Sequence, residues 1–118
     1  MNFDVERKAL ILASGVKEGD TFRFCLPPSL EVLDNAVSQF QKMADKGVKA
    51  DAVVLISCMA RKVVFGPLIN HEIKGIKEIW NKPLIGFFSF GEIGRISEKD
   101  NCDLHNCTSN LLTITEVS

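Results

Sequence analysis

Two charged side chains follow apolar segments that have the length and composition of buried β-strands. Glu92 comes after the apolar run 84–90 and a glycine, and Arg61 comes shortly after the run 52–57. A carboxylate can bind an ammonium or hydroxyl group, and a guanidinium can hold a carboxylate through two hydrogen bonds. Because ligand sites often lie at strand ends, the pair is predicted to suit a small zwitterion. The alternatives are that Glu92 caps loop amides and that Arg61 is exposed or bridges to Glu92.

Three further polar residues complete the predicted ligand site. His105 and Asn106 precede the last β-rich run and could orient a ligand. Alternatively, Asn106 forms an Asx-type turn and His105 hydrogen-bonds to the backbone. Cys58 follows the run 52–57 directly, and it is predicted either to belong to the ligand site or to pack as a small core residue. A nucleophilic role for Cys58, which would need an activating histidine, is the least favoured alternative.

The cluster Cys102, His105 and Cys107 places two thiols and an imidazole, which are possible metal ligands, within six residues. Zinc sites favour paired ligands with two to four intervening residues and a second pair elsewhere. Only Cys58, Cys25 or His71 could complete such a set. The sequence is therefore interpreted as having no metal, no other cofactor and no catalytic residue.

Composition restricts the class of protein. The chain has 118 residues, which suits a single domain over residues 1–118. A net charge of −1 gives no electrostatic case for binding nucleic acid or an anionic membrane. No apolar run approaches the roughly 20 residues that span a bilayer. The N-terminus lacks the pattern of a secretory signal, so the four cysteines are interpreted as reduced thiols in a cytoplasmic protein.

The first half of the chain is predicted to form a hairpin, a helix and a central strand. Runs 8–13 and 21–26 have strand character and are separated by a short turn, so they are expected to pair. After two prolines, Ser29 is a suitable N-cap for an amphipathic helix that continues to about Lys46, with Gly47 as its C-terminal stop. The run 52–57 is apolar throughout, which is typical of a central strand.

The second half is predicted to contain a helix and two strands. The segment 58–66 is interpreted as a loop, and Pro67 can open a helix. The apolar face of that helix comprises Ile69, Ile73, Ile76 and Trp80, and its polar side comprises Asn70, Glu72, Lys74, Lys77 and Glu78. His71 is expected to be solvated. A strand over 84–90, a loop over 91–107 and a strand over 108–117 follow.

These elements predict an α+β fold in the order β-β-α-β-α-β-β. Five strands would form one mixed, largely antiparallel sheet, and two helices would cover one face of it. The runs 52–57 and 84–90 are hydrophobic on both faces, so the other face of the sheet is expected to need cover from a partner domain or a second copy of the chain.

Ordered blocks of this sequence resemble the C-terminal domain of the FIST proteins (F-box and intracellular signal transduction proteins). The most specific parts are Ser57-Cys58 with Arg61, Phe65-Gly66, Gly86-Phe87-Phe88, Gly91-Glu92-Ile93 and Leu104-His105-Asn106. The resemblance implies a sensory module that binds a small ligand, with amino acids among the candidates. It also implies an N-terminal FIST domain or a signalling output domain as partner, so the chain is expected to be a fragment or half of a longer protein.

Three functions are compatible with these features of the sequence. The favoured one is a non-enzymatic, small-ligand-sensing domain whose site comprises Arg61, Glu92, His105, Asn106 and Cys58. The second is a protein-interaction or assembly domain that docks a partner or a second copy of the chain through its free sheet face. Docking of a second copy would produce a homo-oligomer. The third is a thiol enzyme at Cys58.

Overall fold

The chain folds into helices and short strands in a computed structural model that describes residues 2–12, 15–24, 28–95 and 101–117. Strands β1 (Asn2–Asp4) and β2 (Ala9–Ile11) form an antiparallel hairpin. The Asp4 carboxylate accepts a hydrogen bond of 2.9 Å from the Arg7 N–H, which closes the turn between them. The predicted pairing of 8–13 with 21–26 is therefore wrong, because 9–11 finds a nearer partner.

No strand occurs in the described part of the second predicted run, residues 21–24. Phe22 and Phe24 are 73% and 91% exposed, and their rings meet edge to face at 5.4 Å. Alternation of apolar residues is a necessary pattern for a half-buried strand, but it does not supply a pairing partner. Cys25 and Leu26 lie outside the described residues, as does Ala13 of the first run.

Helix α1 (Glu31–Asp45) confirms the helix prediction, with its end where it was expected. Gly47 has a φ of +90°, and its N–H donates to the Ala44 carbonyl at 2.9 Å while the Val48 N–H donates to the Met43 carbonyl at 3.2 Å. This is the pattern of a Schellman motif. The predicted side-chain cap at Ser29 is wrong, since Leu30 occupies the N-cap position without a capping side chain.

The segment after the central strand is helical, which corrects the predicted loop. Strand β3 (Ala52–Cys58) leads directly into helix α2 (Met59–Phe65), a 3-10 turn (Gly66–Leu68) and helix α3 (Ile69–Trp80). Pro67 lies in the 3-10 turn, whose N-terminal positions suit a residue without an N–H. Asn81 ends α3 in the left-handed conformation.

A three-stranded sheet forms the centre of the domain, in the order β4-β3-β7. Strand β4 (Leu84–Ser89) is parallel to β3, and β7 (Ser109–Ile114) is antiparallel to it. Gly86 lies opposite Leu55, and a Cβ at this position would stand only 2.2 Å from the Leu55 carbonyl oxygen. A larger residue would therefore push β4 away from β3.

The described strands belong to three small sheets, so the single five-stranded sheet was wrong although the α+β class is confirmed. The predicted loop 91–107 contains strands β5 (Glu92–Gly94) and β6 (Asp103–His105), which pair with each other. Their register places Glu92 opposite His105. Three-residue strands give a weak periodic signal, which explains why the sequence did not reveal this hairpin.

The two faces of the central sheet differ in burial. On one face, α1 and α3 pack on β3 around Phe40, Val53, Leu55 and Ile76. The opposite face, which we call the open face, presents Ile85, Phe87, Leu112 and Ile114, with exposed fractions of 71%, 58%, 56% and 49%. The helices thus form one layer, as predicted, and the second face of the sheet is accessible in the single chain.

Candidate functional site

A buried ion pair lies where α2 and α3 meet the sheet. Arg61 lies in the first turn of α2 and Glu72 in the first turn of α3. The guanidinium pairs with the Glu72 carboxylate through Nη2, and the two side chains are 7% and 0% exposed. The Arg61 guanidinium also lies 5.5 Å from the centre of the Phe65 ring. Because a lone charge would be strongly disfavoured at this depth, each group depends on the other.

Two serine hydroxyls extend this ion pair into the sheet. Ser109 Oγ donates to Glu72 Oε1 at 2.6 Å, and Ser57 Oγ lies 3.2 Å from Ser109 Oγ. Ser57 and Ser109 are direct partners in the β3–β7 register. Arg61 Nε is buried without a hydrogen-bond acceptor among the described residues, and an unsatisfied buried donor costs about 1–3 kcal/mol. We call Arg61, Glu72, Ser109 and Ser57 the first polar cluster.

Both sequence interpretations of Arg61 as a structural residue were wrong, and so was the placement of Glu72. Arg61 is neither exposed nor paired with Glu92, because Glu72 neutralises it. Glu72 was assigned to the polar side of its helix. Its spacing from Ile69 and Ile76, three residues after one and four before the other, puts it on the apolar face. A carboxylate at a core position of an amphipathic helix was the signal for a buried charge pair.

Glu92 forms a second polar cluster, and within the described part of the chain none of its hydrogen-bond donors is a cationic side chain. Its carboxylate is 1% exposed. Ser89 Oγ donates to Oε1 at 2.7 Å, and Thr108 donates to Oε2 through its hydroxyl at 3.0 Å and its N–H at 3.4 Å. The contact with the Thr108 N–H matches the alternative of a carboxylate that caps loop amides, and the two hydroxyl donors are an addition that the sequence did not predict. The cluster ties the end of β4 and the start of β5 to the segment that precedes β7.

His105 and Asn106 lie on the far side of the same hairpin. A ring nitrogen of His105, Nε2, lies 3.1 Å from the carbonyl oxygen of Gly94, across the β5–β6 pair. This contact matches the backbone-bonded alternative for His105. Asn106 is exposed at the bend between β6 and β7.

Two cysteines lie beside the Glu92 cluster. Cys58 is 4% exposed, and its backbone N–H donates to the Thr108 carbonyl at 2.9 Å. Cys107 is more accessible and adopts a left-handed backbone with φ of +61°. Partial burial raises the pKa of the Cys107 thiol, with further contributions from the neighbouring Cys58 and from the charge of Glu92. In the described residues, no group of three or more His, Cys, Asp or Glu side chains is arranged to hold a metal ion.

A cleft of about 960 Å³ separates α1 from the β5–β6 hairpin and β7. Its walls combine apolar, hydroxyl, amide and cationic side chains. Of the predicted site residues, Arg61 and His105 line it. Glu92 and Cys58 adjoin the wall through Thr108, which lines the cleft and contacts both of them. Asn106 is not among the described lining residues.

The sequence did not identify several groups that line the cleft. These are Lys42 of α1, its C-cap residue Lys46, Arg95 after β5, and Asn110 near the start of β7. Lys42 and Lys46 lie four residues apart, so they share one side of the helix. That spacing was visible in the sequence, but nothing local indicated that this side of α1 would face the hairpin, because the hairpin itself was not predicted.

The fold and the cleft define a small α+β domain with a concavity of ligand size beside two buried carboxylates. A protein-family model described as the FIST C domain matches residues 1–95, and the chain belongs to this family. The predicted resemblance is thereby confirmed, and the matched range includes Arg61, Glu72 and Glu92 but ends before His105. Searches of curated proteins and of solved structures found no match.

Family membership indicates a sensory role in signal transduction. None of the helices in the described residues has the length and apolar character that crossing a bilayer requires.

Proposed function

We propose that this FIST C domain is a non-catalytic sensor that binds a small ligand in the cleft between α1 and the β5–β6 hairpin. The observation that carries the proposal is the cleft itself. Its volume of about 960 Å³ lies within the range of small-molecule sites, and its wall combines apolar residues with a few polar groups. Arg61 and His105, two residues that the sequence singled out, belong to that wall.

The remaining predicted site residues act indirectly in this proposal. Glu92 holds Thr108 by two hydrogen bonds, and Cys58 holds the same residue through its backbone. Thr108 therefore has a fixed position in the wall. Asn106 lies next to Cys107 at the bend. We expect a bound ligand to contact both α1 and the β5–β6 hairpin and thereby to change how they are held together. In a cytoplasmic protein, an N-terminal FIST domain or a signalling output domain would detect this change.

A thermal-shift screen over amino acids, small acids and neutral metabolites tests the proposal. A ligand at 100 times its Kd adds about 2.7 kcal/mol to the free energy of unfolding. Gln39 and Gln41 provide a matched pair of variants, since both are exposed on α1 but only Gln39 lines the cleft. Gln39→Trp should fill the cleft and abolish the shift, whereas Gln41→Trp should retain it.

Two results would contradict ligand sensing in this cleft. One is a screen without a hit on a well-folded chain. The other is a hit whose shift survives Gln39→Trp, because the ligand would then bind elsewhere. Arg61→Ala and Glu92→Ala are less suitable probes, since both side chains are buried and take part in hydrogen-bonded clusters.

The non-catalytic part of the proposal is tested separately. Cys58 is buried, and the His105 ring contacts the Gly94 carbonyl. We therefore expect iodoacetamide to label Cys58 no faster than a free thiol at neutral pH. Faster labelling would favour the thiol-enzyme alternative.

The open face supports a second candidate function, which is self-assembly. Its apolar residues Ile85, Phe87, Leu112 and Ile114 are 49–71% exposed in the single chain. Contiguous exposed apolar residues of this kind mark interaction sites on soluble proteins. A second copy of the chain could cover the open face.

Sedimentation velocity tests the assembly function. The double variant Ile85→Lys/Phe87→Lys places charges on the open face and should yield a monomer if the parent chain is a dimer. Val63→Lys is the control, since Val63 is 75% exposed but lies on α2 outside the sheet. A parent chain that sediments as a monomer at all concentrations would rule out this function for the single domain.

A further inference from the structure

We propose that the cleft selects a small organic anion, a carboxylate or a phosphate monoester on an apolar body, over a zwitterionic amino acid or an amine. This inference rests on the proposed function, because it specifies the ligand class of the same cleft. It depends on which charges line the wall and on which charges are already neutralised.

The cleft wall is cationic although the chain is not. The chain carries 14 basic and 15 acidic residues, so an unselected surface would present both signs about equally. The described lining residues include no aspartate or glutamate. They do include four basic side chains, Lys42, Lys46, Arg61 and Arg95. Clefts that are lined by one sign of charge concentrate ligands of the opposite sign.

Among the described residues, three of these four charges are not balanced by an ion pair. Glu72 neutralises Arg61. The ion pairs found among the described residues do not involve Lys42, Lys46 or Arg95. Lys42 lies in the last turn of α1, Lys46 is its C-cap residue and Arg95 follows β5, so separate elements contribute these cations to the lining. An anion in the cleft would be attracted by all three.

An ammonium group would find little to bind in this wall. Glu72 and Glu92 are both buried, and their oxygens accept hydrogen bonds from Arg61, Ser109, Ser89 and Thr108. The C-terminal carbonyls of α1 are used as well, since Lys42, Met43 and Ala44 accept from the N–H groups of the following turn. The amino group of a zwitterion would therefore lose water without gaining a charged partner.

The apolar part of the wall specifies the body of the ligand. Phe40, Met43, Ile93 and Leu111 line the cleft together with the cations. Ile93 is 71% exposed, so its side chain is available for contact. An anion with a short branched hydrocarbon body would use both features, whereas inorganic phosphate would use only the charge.

Four probes with the same branched body separate the alternatives. They are 4-methylpentanoate, 3-methylbutyl phosphate, leucine and 3-methylbutylamine, and calorimetry with the whole chain measures their Kd values. We expect one of the two anions to bind at least about tenfold more tightly than leucine and the amine, since each 1.4 kcal/mol of selective interaction is tenfold. The better of the two anions shows whether the headgroup is a carboxylate or a phosphate.

Charge variants then locate the effect. Lys42→Gln/Lys46→Gln should weaken anion binding about fivefold, as expected for two exposed ion pairs. The control is Lys74→Gln/Lys77→Gln, which removes two exposed lysines of α3 that are not among the lining residues. It should leave the Kd unchanged. Arg95→Gln provides the same test at the cation that follows β5.

The outcomes distinguish this inference from the proposed function. Leucine or the amine binding as tightly as the anions would overturn the anion preference and leave ligand sensing intact. The anion preference would also be overturned if both double lysine variants weakened anion binding equally, because the lysines would then act only through the overall charge of the chain. It is also possible that none of the four probes binds but the screen finds another ligand whose binding is lost in Gln39→Trp. An anionic ligand of this kind would support the inference, and a neutral or cationic one would overturn it. If no ligand of any kind binds, both proposals fail.

Discussion

The first polar cluster and the Glu92 cluster each bury a carboxylate almost completely, but they stabilise it in different ways. Glu72 has a full positive charge beside it, supplied by Arg61, and one hydroxyl. Glu92 is held by the hydroxyls of Ser89 and Thr108 and by one backbone N–H. The first arrangement joins α2, α3 and β7, whereas the second joins the ends of neighbouring strands beside the cleft.

This difference indicates that the two carboxylates have different tasks. A buried ion pair is worth little compared with an apolar pair of similar volume, but removal of one partner is severe because the other charge is left uncompensated. A carboxylate held by neutral donors leaves no charge behind when it is removed. We therefore expect the first cluster to control global stability and the Glu92 cluster to control the local position of the cleft wall.

The largest expected effect is that of Glu72→Ala. It leaves the buried Arg61 guanidinium without its carboxylate, which should lower the free energy of unfolding by about 3–5 kcal/mol. Chemical denaturation measures this loss. Glu78→Ala is the control, because Glu78 is exposed on the same helix and its replacement should change stability by no more than about 0.5 kcal/mol. A loss below about 1 kcal/mol for Glu72→Ala would show that Arg61 finds another partner.

The long elements could be predicted from the sequence, because their periodicity is sustained. Helix α1 and its glycine stop, helix α3 and strands β3, β4 and β7 were found this way. The helix α2 and the β5–β6 hairpin were missed, since short elements are stabilised by their neighbours more than by local preference.

The site was only partly predictable for a related reason. Strand ends were expected to bring Arg61 and Glu92 together around a ligand. The sequence shows where a charged residue leaves a strand, but not which other charge will be buried beside it. Glu72 takes the position that a ligand carboxylate was expected to occupy at Arg61. Cleft residues on α1 depended on a hairpin that was itself not foreseen.

The next largest effect is expected for Glu92→Ala. It leaves the Ser89 and Thr108 donors without their acceptor and should cost about 2–3 kcal/mol. Amide hydrogen exchange in β5, β6 and residues 107–109 should then increase by more than the loss of global stability explains. In α3, exchange should increase by no more than that loss explains. An equal increase in α3 would mean that both clusters belong to one cooperative unit, so the two carboxylates would not have separate roles.

Two neighbouring hydroxyl groups, one in β7 and one just before it, donate to different carboxylates. Thr108→Val removes a donor to Glu92, and Ser109→Ala removes a donor to Glu72. Since Glu72 keeps Arg61, we expect Ser109→Ala to cost about 1 kcal/mol, and Thr108→Val, which deprives a carboxylate of one of few neutral donors, to cost about 2 kcal/mol. Thermal denaturation of both variants measures the difference. The reverse order would indicate that Arg61 does not compensate Glu72 more effectively than hydroxyls compensate Glu92.

The smallest effect concerns Cys107, which responds to both clusters. Partial burial raises the pKa of its thiol, the charges of Cys58 and Glu92 raise it further, and Arg61 lowers it. Since the folded chain binds this proton more tightly than the unfolded chain, the contribution of Cys107 to stability is full below the unfolded pKa and is lost as the pH rises through the folded pKa.

The pH dependence of alkylation at Cys107, followed on its peptide by mass spectrometry, reports the thiol directly because only the thiolate reacts. The midpoint should lie above that of a free cysteine, and Glu92→Gln should lower it, because this variant removes one of the charges that raise the pKa. The exposed Cys102 serves as an internal reference in the same digest. A midpoint at or below that of free cysteine, or one that rises in Glu92→Gln, would show that the Glu92 charge does not raise the pKa of the Cys107 thiol.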